Sequence, residues 1–94
     1  MNPIFANQIE TLENLKAFLK KFNESLESAS NQYQQYLDDL AEQHLDAEVY
    51  QRYQSEFLDE TKKRIRDIID NIESNDIPYI ARLIAHLEEI SAIR

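Results

Sequence analysis

Between Leu12 and Leu40 apolar residues recur at alternating steps of three and four: Leu12, Leu15, Leu19, Phe22, Leu26, Ala29, Tyr33, Tyr36 and Leu40. Such spacing keeps one edge of an α-helix facing the same way along its whole length, so the run specifies a long helix packed along a coiled-coil-like seam. Asn2 is a good N-cap, and Pro3 suits the first helical position, where its missing N–H leaves no bond unmade. Ser28–Gln32 weakens helix propensity without breaking the stripe. The spacing predicts one helix over about 3–44.

The chain has no glycine in 94 residues. Turns that need a positive φ usually recruit glycine. Few such turns are therefore expected, which disfavours β-hairpins and phosphate-cradling loops and leaves helices joined by very few connections.

Near His44–Glu48 the stripe loses phase. Asp46 is expected to N-cap a second helix, with Leu45 and Tyr50 placed as a hydrophobic staple and the turn at about 45–46. A second stripe follows through Tyr50, Tyr53, Phe57, Thr61, Ile65, Ile68 and Ile72. Its central steps of four depart from strict heptads, so supercoiling should relax near Thr61. Pro78 removes a helical donor and disfavours helical angles at Ile77. With Ser74, Asn75 and Asp76 offering capping oxygens, the second helix should run over about 47–74, kink or break over 75–77, and resume over about 78–93. The whole chain, 1–94, reads as one helical-hairpin domain.

The two arms are nearly equal in length, which favours an antiparallel hairpin. Folded at 45/46, the chain sets Leu19 against Ile72, Phe22 against Ile69, Leu26 against Ile65, Tyr33 against Leu58 and Leu12 against Tyr79. Charges are expected to pair across the arms, Arg52 with Asp39, Arg64 and Lys63 with Glu27, Arg66 with Glu24, Arg82 with Glu10, Lys16 with Asp76, and Lys20 and Lys21 with Asp70. Exposed pairs of this kind contribute about 0–1 kcal/mol each, so the seam supplies the stability.

Two helices cannot cover each other's wide faces. Ile9, Phe18, Leu37, Ile80, Leu83, Ile84, Leu87 and Ile90 are the expected interface, because contiguous exposed apolar surface marks binding sites. A homodimer closing into a four-helix bundle is the simplest way to cover them, and a heterodimer with a similar helical hairpin satisfies the same physics. Tyr33, Tyr36, Tyr50 and Tyr53 cluster near the turn, either as a bundle end with wet hydroxyls or as a docking tip for another protein.

Catalysis and cofactors find no foothold. There is no cysteine, hence no thiolate metal site or Cys nucleophile. His44 follows Ala41 and His86 follows Leu83 at the spacing where a di-iron bundle would carry Glu. His44 with Glu48, or His86 with Glu89, would make no more than an incidental metal contact. Ser25, Ser28 and Ser30 lack an activating motif. Lys62, Lys63, Arg64 and Arg66 are bracketed by Asp59, Glu60, Asp67 and Asp70 and read as a solvated helix face. No catalytic residue, metal or cofactor is expected. The formal charge of −8 repels phosphate backbones and anionic lipids, so neither nucleic acid nor a membrane is an expected partner. No apolar run approaches a membrane span, and no signal-peptide core begins the chain, so a soluble, cytoplasmic protein is expected. The surplus of apolar surface on the first helix and on 77–93 favours a protein-binding adaptor or escort; an acidic immunity protein or antitoxin covering a basic toxin is the alternative.

In its length, matched helices, mid-chain turn and acidic charge the chain resembles the Trp-x-Gly helical-hairpin superfamily, the small proteins of type VII secretion systems and their relatives. Where that family carries Trp-x-Gly this chain reads His44-Leu45-Asp46, and where many members end in Tyr-x-x-x-Asp/Glu, Tyr79 is followed at the fourth place by Leu83. No family site residue maps onto the chain. The resemblance implies an obligate dimer, or an escort or partner of a larger effector; export by a specialised secretion system has no motif behind it.

Overall fold

A computed structural model describes residues 3–93, and every described element is helical. α1 spans Pro3–Gln43; after a turn come α2 (Ala47–Tyr53), a π-helical turn (Gln54–Leu58), α3 (Asp59–Asn71), a second π turn (Ile72–Asp76) and α4 (Ile77–Ile93). The expected all-α helical hairpin is thus what the chain forms, one long N-terminal helix followed by helix from Ala47 onward. α1 starts at Pro3 as its fixed φ favours; the cap expected from Asn2 lies outside the described residues.

The turn shows how a chain without glycine ends a helix. The amides of His44 and Leu45 both double back to the Leu40 carbonyl, at 2.8 and 3.1 Å. No described residue takes a positive φ. Asp46 occupies the N-cap with extended backbone (φ −66°, ψ 146°), but its carboxylate makes no capping bond. Its carbonyl instead accepts the Tyr50 amide at 2.9 Å.

Where a kink or break is expected over 75–77, the chain carries the second π turn. Ile77 keeps helical angles (φ −63°, ψ −47°), and its amide reaches back to the Ile72 carbonyl. A π turn widens the backbone where the Pro78 ring would otherwise crowd the preceding turn, so helix passes into α4 without an interruption. Asn75 does not cap; its amide donates to the Asn71 side chain at 2.6 Å.

Two compact units make up the chain, one of Met1–Asn23 with Asp70–Arg94 and one of Glu24–Ile69. Ile72, Ile80 and Ile84 are the buried apolar residues of the first, Leu37 and Leu58 those of the second. The inward edge of α1 is rotated from the expected stripe. Leu12, Leu19, Leu26, Tyr33 and Leu40 turn inward as anticipated, but their companions are Ile9, Lys16, Asn23, Ser30 and Leu37, whereas Leu15, Phe22, Ala29 and Tyr36 are exposed. In the second arm Tyr50, Gln54, Leu58, Ile65, Ile69 and Ile72 face inward, with Tyr53, Phe57 and Ile68 exposed. Tyr50, Gln54 and Leu58 stand at successive steps of four, and the widened first π turn holds all three in phase. The departure from heptads expected near Thr61 is real but lies a turn earlier.

The ion pairs among the described residues run along single helices, Lys16–Glu13, Arg52–Glu48 and Arg64–Glu60, in place of the cross-arm pairs expected for these bases. An acid one turn away on the same helix is already within reach, so pairing there needs less ordering of long side chains. Arg82 lies over the Tyr79 ring, 5.8 Å from its centroid.

Candidate functional site

The Glu24–Ile69 unit has two unlike sides. On one, Tyr33, Tyr36, Leu37 and Leu40 of α1 and Leu45, Val49 and Tyr53 of the turn and α2 line a groove of about 410 Å³. The Tyr33 and Tyr53 hydroxyls are hydrogen-bonded, their rings meet edge-on at 6.3 Å, and Tyr53 continues to Phe57 at 5.4 Å. Tyr36 is 66% exposed and Phe57 57%, so the aromatic surface lies open beside a buried Leu37 and Leu58. α2 brings Val49 and Tyr53 to the same edge by their i, i+4 spacing.

The opposite side is a chain of polar bonds. Gln34 donates to Asp38 at 2.9 Å and exchanges bonds with Gln54 at 2.8 and 3.0 Å; Gln54 donates to Asp59 at 2.7 Å. Lys62 donates to the Gln34 side-chain Oε1 at 3.2 Å, and Tyr50 to Asp38 at 2.7 Å. These bonds clamp the two arms where apolar side chains do not. They also set the local register: Tyr33, expected opposite Leu58, meets Tyr53. Apolar layers alone could not have fixed that alignment, because three of the four cross-arm polar pairs, Gln34–Gln54, Gln34–Lys62 and Asp38–Tyr50, involve an amide or a carboxylate.

The Tyr50 hydroxyl and the Gln34 amide hold the Asp38 carboxyl below the usual carboxylate range. The same bond, made to a carboxylate, raises Tyr50 above the ordinary tyrosine value, and the bond to Tyr53 raises Tyr33. A depressed carboxyl adds stability that is complete above its unfolded value of about 4 and is lost as the pH falls through the lower folded value. The two raised tyrosines act at the other end: their contribution is complete below about pH 10 and is lost as the pH rises through their folded values. Tyr50→Phe should therefore move the Asp38 midpoint upward in an NMR titration of the side-chain carboxyls. An unmoved midpoint would mean that the Tyr50–Asp38 bond is not made in solution.

Of the four tyrosines expected at a tip, Tyr33, Tyr36 and Tyr53 come together, whereas Tyr50 turns to the polar side. The staple expected between Leu45 and Tyr50 is correspondingly replaced by Leu45 in the groove beside Val49. Among the expected interface residues, Leu37, Ile80 and Ile84 are core and not surface. Ile9, Leu83, Leu87 and Ile90 are half-buried, and Phe18 alone is open, stacked on Phe22 at 6.0 Å. The physical reason is the rotation of the inward edge, which takes in residues placed off the seam and turns out Leu15 and Phe22. Val49 was missed from sequence, and Phe57, placed in the seam stripe with Tyr50 and Tyr53, is instead exposed. Gln34, Asp38, Gln54, Asp59 and Lys62 were missed as well, being residue types that normally cover surface.

Within the Met1–Asn23 and Asp70–Arg94 unit, a second groove of about 790 Å³ is lined by Leu12, Leu15, Leu19, Tyr79, Ile80 and Leu83, with Ser74, Asn75, Asp76 and Arg82 at its edge. Leu12 and Tyr79 share it, as the expected register places them. Among the described residues no three His, Asp or Glu side chains are grouped to hold a metal ion, and no helix is long and apolar enough to cross a membrane. No family model, curated protein or solved structure matches the chain.

Proposed function

We propose that this chain is a non-enzymatic protein-binding module, an adaptor or escort that works by laying its exposed apolar faces against other proteins. The observation that carries this reading is the open aromatic surface formed by Tyr36, Tyr53, Phe57 and Val49, each more than one-third exposed. Isolated exposed apolar side chains are ordinary, but a contiguous aromatic set around a groove is the usual composition of an interface core. The architectural resemblance to the Trp-x-Gly helical hairpins points the same way, toward a partner or escort of a larger protein, in the cytoplasm or on its way out of it.

Leu15, Phe18, Phe22 and Tyr79 form a further exposed apolar set, suited to a second copy or a related hairpin completing a four-helix bundle. Light scattering at micromolar concentration should then report a dimer. Phe18→Asp should convert it to a monomer while leaving the helical circular dichroism and the melting midpoint almost unchanged, because the ring is already in water. A native chain that stays monomeric would remove the bundle from the account.

A second reading, an acidic neutraliser such as an immunity protein or antitoxin, is favoured by where the charge sits. From Tyr33 to Glu60 the chain carries eight carboxylates against one base, Arg52, and these leave seven of the eight net negative charges in that stretch.

A further inference from the structure

We propose that the aromatic groove of the Glu24–Ile69 unit takes a cationic amphipathic helix of another protein. Its apolar stripe would rest on Tyr36, Val49 and Tyr53, with Lys and Arg side chains set against the carboxylates around them. This rests on the docking reading above and names the chemistry of the occupant.

Three observations converge on it. The groove is a cleft between two helices lined by aromatic and aliphatic side chains, the form that receives an amphipathic helix as a ridge of apolar anchors. Its surroundings are anionic: Asp39 lies one helical turn from Tyr36, Glu56 one turn from Tyr53, and Asp46 opens α2 three residues before Val49. The lone base in the stretch, Arg52, is already paired with Glu48 at 3.8 Å. A ligand entering here therefore meets uncompensated negative charge beside an apolar floor. Opposite charge on the ligand speeds encounter and favours the right partner, and like charge disfavours the wrong one.

A second copy is the poorer occupant. It would bring its own seven net negative charges to the same place, and three of the four bases nearest its tip already have partners, Arg52 in Glu48, Lys62 in Gln34 and Arg64 in Glu60. Nor is the opposite side of the unit a competing surface, since Gln34, Asp38, Gln54 and Asp59 are bonded to one another across it.

The test uses three labelled peptides of about 18 residues, long enough for several helical turns, with fluorescence anisotropy and the intact chain. One alternates Leu and Lys at helical period, one is its Leu/Glu counterpart, and one has the first peptide's composition with the stripe scrambled. The Leu/Lys helix should bind, and the other two should bind at least about tenfold more weakly. Val49→Arg places a like charge on an exposed groove position and should weaken the Leu/Lys complex by at least about tenfold. Phe18→Asp, in the other unit, should leave the complex unchanged. Raising the salt from low to high should weaken binding several-fold. Equal binding of the scrambled peptide would reduce the effect to bare charge and overturn the proposal, as would equal binding of the Leu/Glu peptide. If no peptide binds but Val49→Arg breaks a dimer in light scattering, the groove belongs to a second copy, and the proposal fails while the docking reading stands. If no peptide binds and neither variant alters assembly, both fail.

Discussion

Leu58→Ala should cost about 3 kcal/mol of unfolding free energy, and Phe57→Ala beside it less than about 1 kcal/mol. Leu58 is 0% exposed and Phe57 57% exposed. Truncating Leu58 removes apolar contact on all sides and leaves a cavity that a two-helix unit can only partly close; truncating Phe57 mostly removes a ring from water. For a domain of this size the Leu58 variant should melt roughly 12–24 °C lower, scaling at about 4–8 °C per kcal/mol. Urea denaturation followed by circular dichroism measures both. The comparison is sensitive because the sequence stripe favours Phe57 as the seam residue: equal costs, or a larger cost at Phe57, would place the first π turn elsewhere and return Leu58 to the surface.

Ile84→Asp should abolish cooperative unfolding of the helical fold at 25 °C, whereas Tyr79→Asp should be tolerated. Ile84 is 6% exposed and Tyr79 55% exposed. A carboxylate at position 84 must either stay charged without a partner in an apolar core or take up a proton, and either course costs several kcal/mol. That is a large part of the roughly 5–15 kcal/mol that stabilises an ordinary domain. At Tyr79 the new carboxylate stays in water and loses only the Arg82–ring contact, partly replaced by an Asp–Arg attraction. Retention of a sharp transition in the Ile84→Asp chain would show that α4 does not form the core described for Asp70–Arg94.

These pairs show how far the sequence could be read. Helix α1, the turn after it and the resumption of helix near Asp46 follow from periodicity, Pro3 and the phase loss at His44. The inward face does not. On α1 the expected stripe takes Leu15, Phe22, Ala29 and Tyr36 from the outward edge, at the level where the inward edge carries Lys16, Asn23, Ser30 and Leu37. A stripe chosen for greasiness is therefore rotated toward the exposed side, and Leu37 and Ile84 pass for surface. The two π turns were legible only as anomalies, a run of steps of four and a proline. Where the extra residue is absorbed depends on packing that a single sequence does not display. The groove was half legible: the tyrosines mark the place, but separating Tyr50 from Tyr33, Tyr36 and Tyr53 requires the bond to Asp38.

The docking reading depends on that rotation, because it is what leaves an aromatic face open. The chain has no native cysteine, so single cysteines at positions 36, 37, 57 and 58 can be followed by their rate of alkylation in the folded protein. Tyr36→Cys and Phe57→Cys should react almost as fast as an unfolded control. Leu37→Cys and Leu58→Cys should react more than about tenfold slower, since a buried thiol is reached only through local opening. Slow reaction at 36 and 57 with fast reaction at 37 and 58 would mean that the aromatic edge is the core of the hairpin, and the surface proposed for partners would not exist.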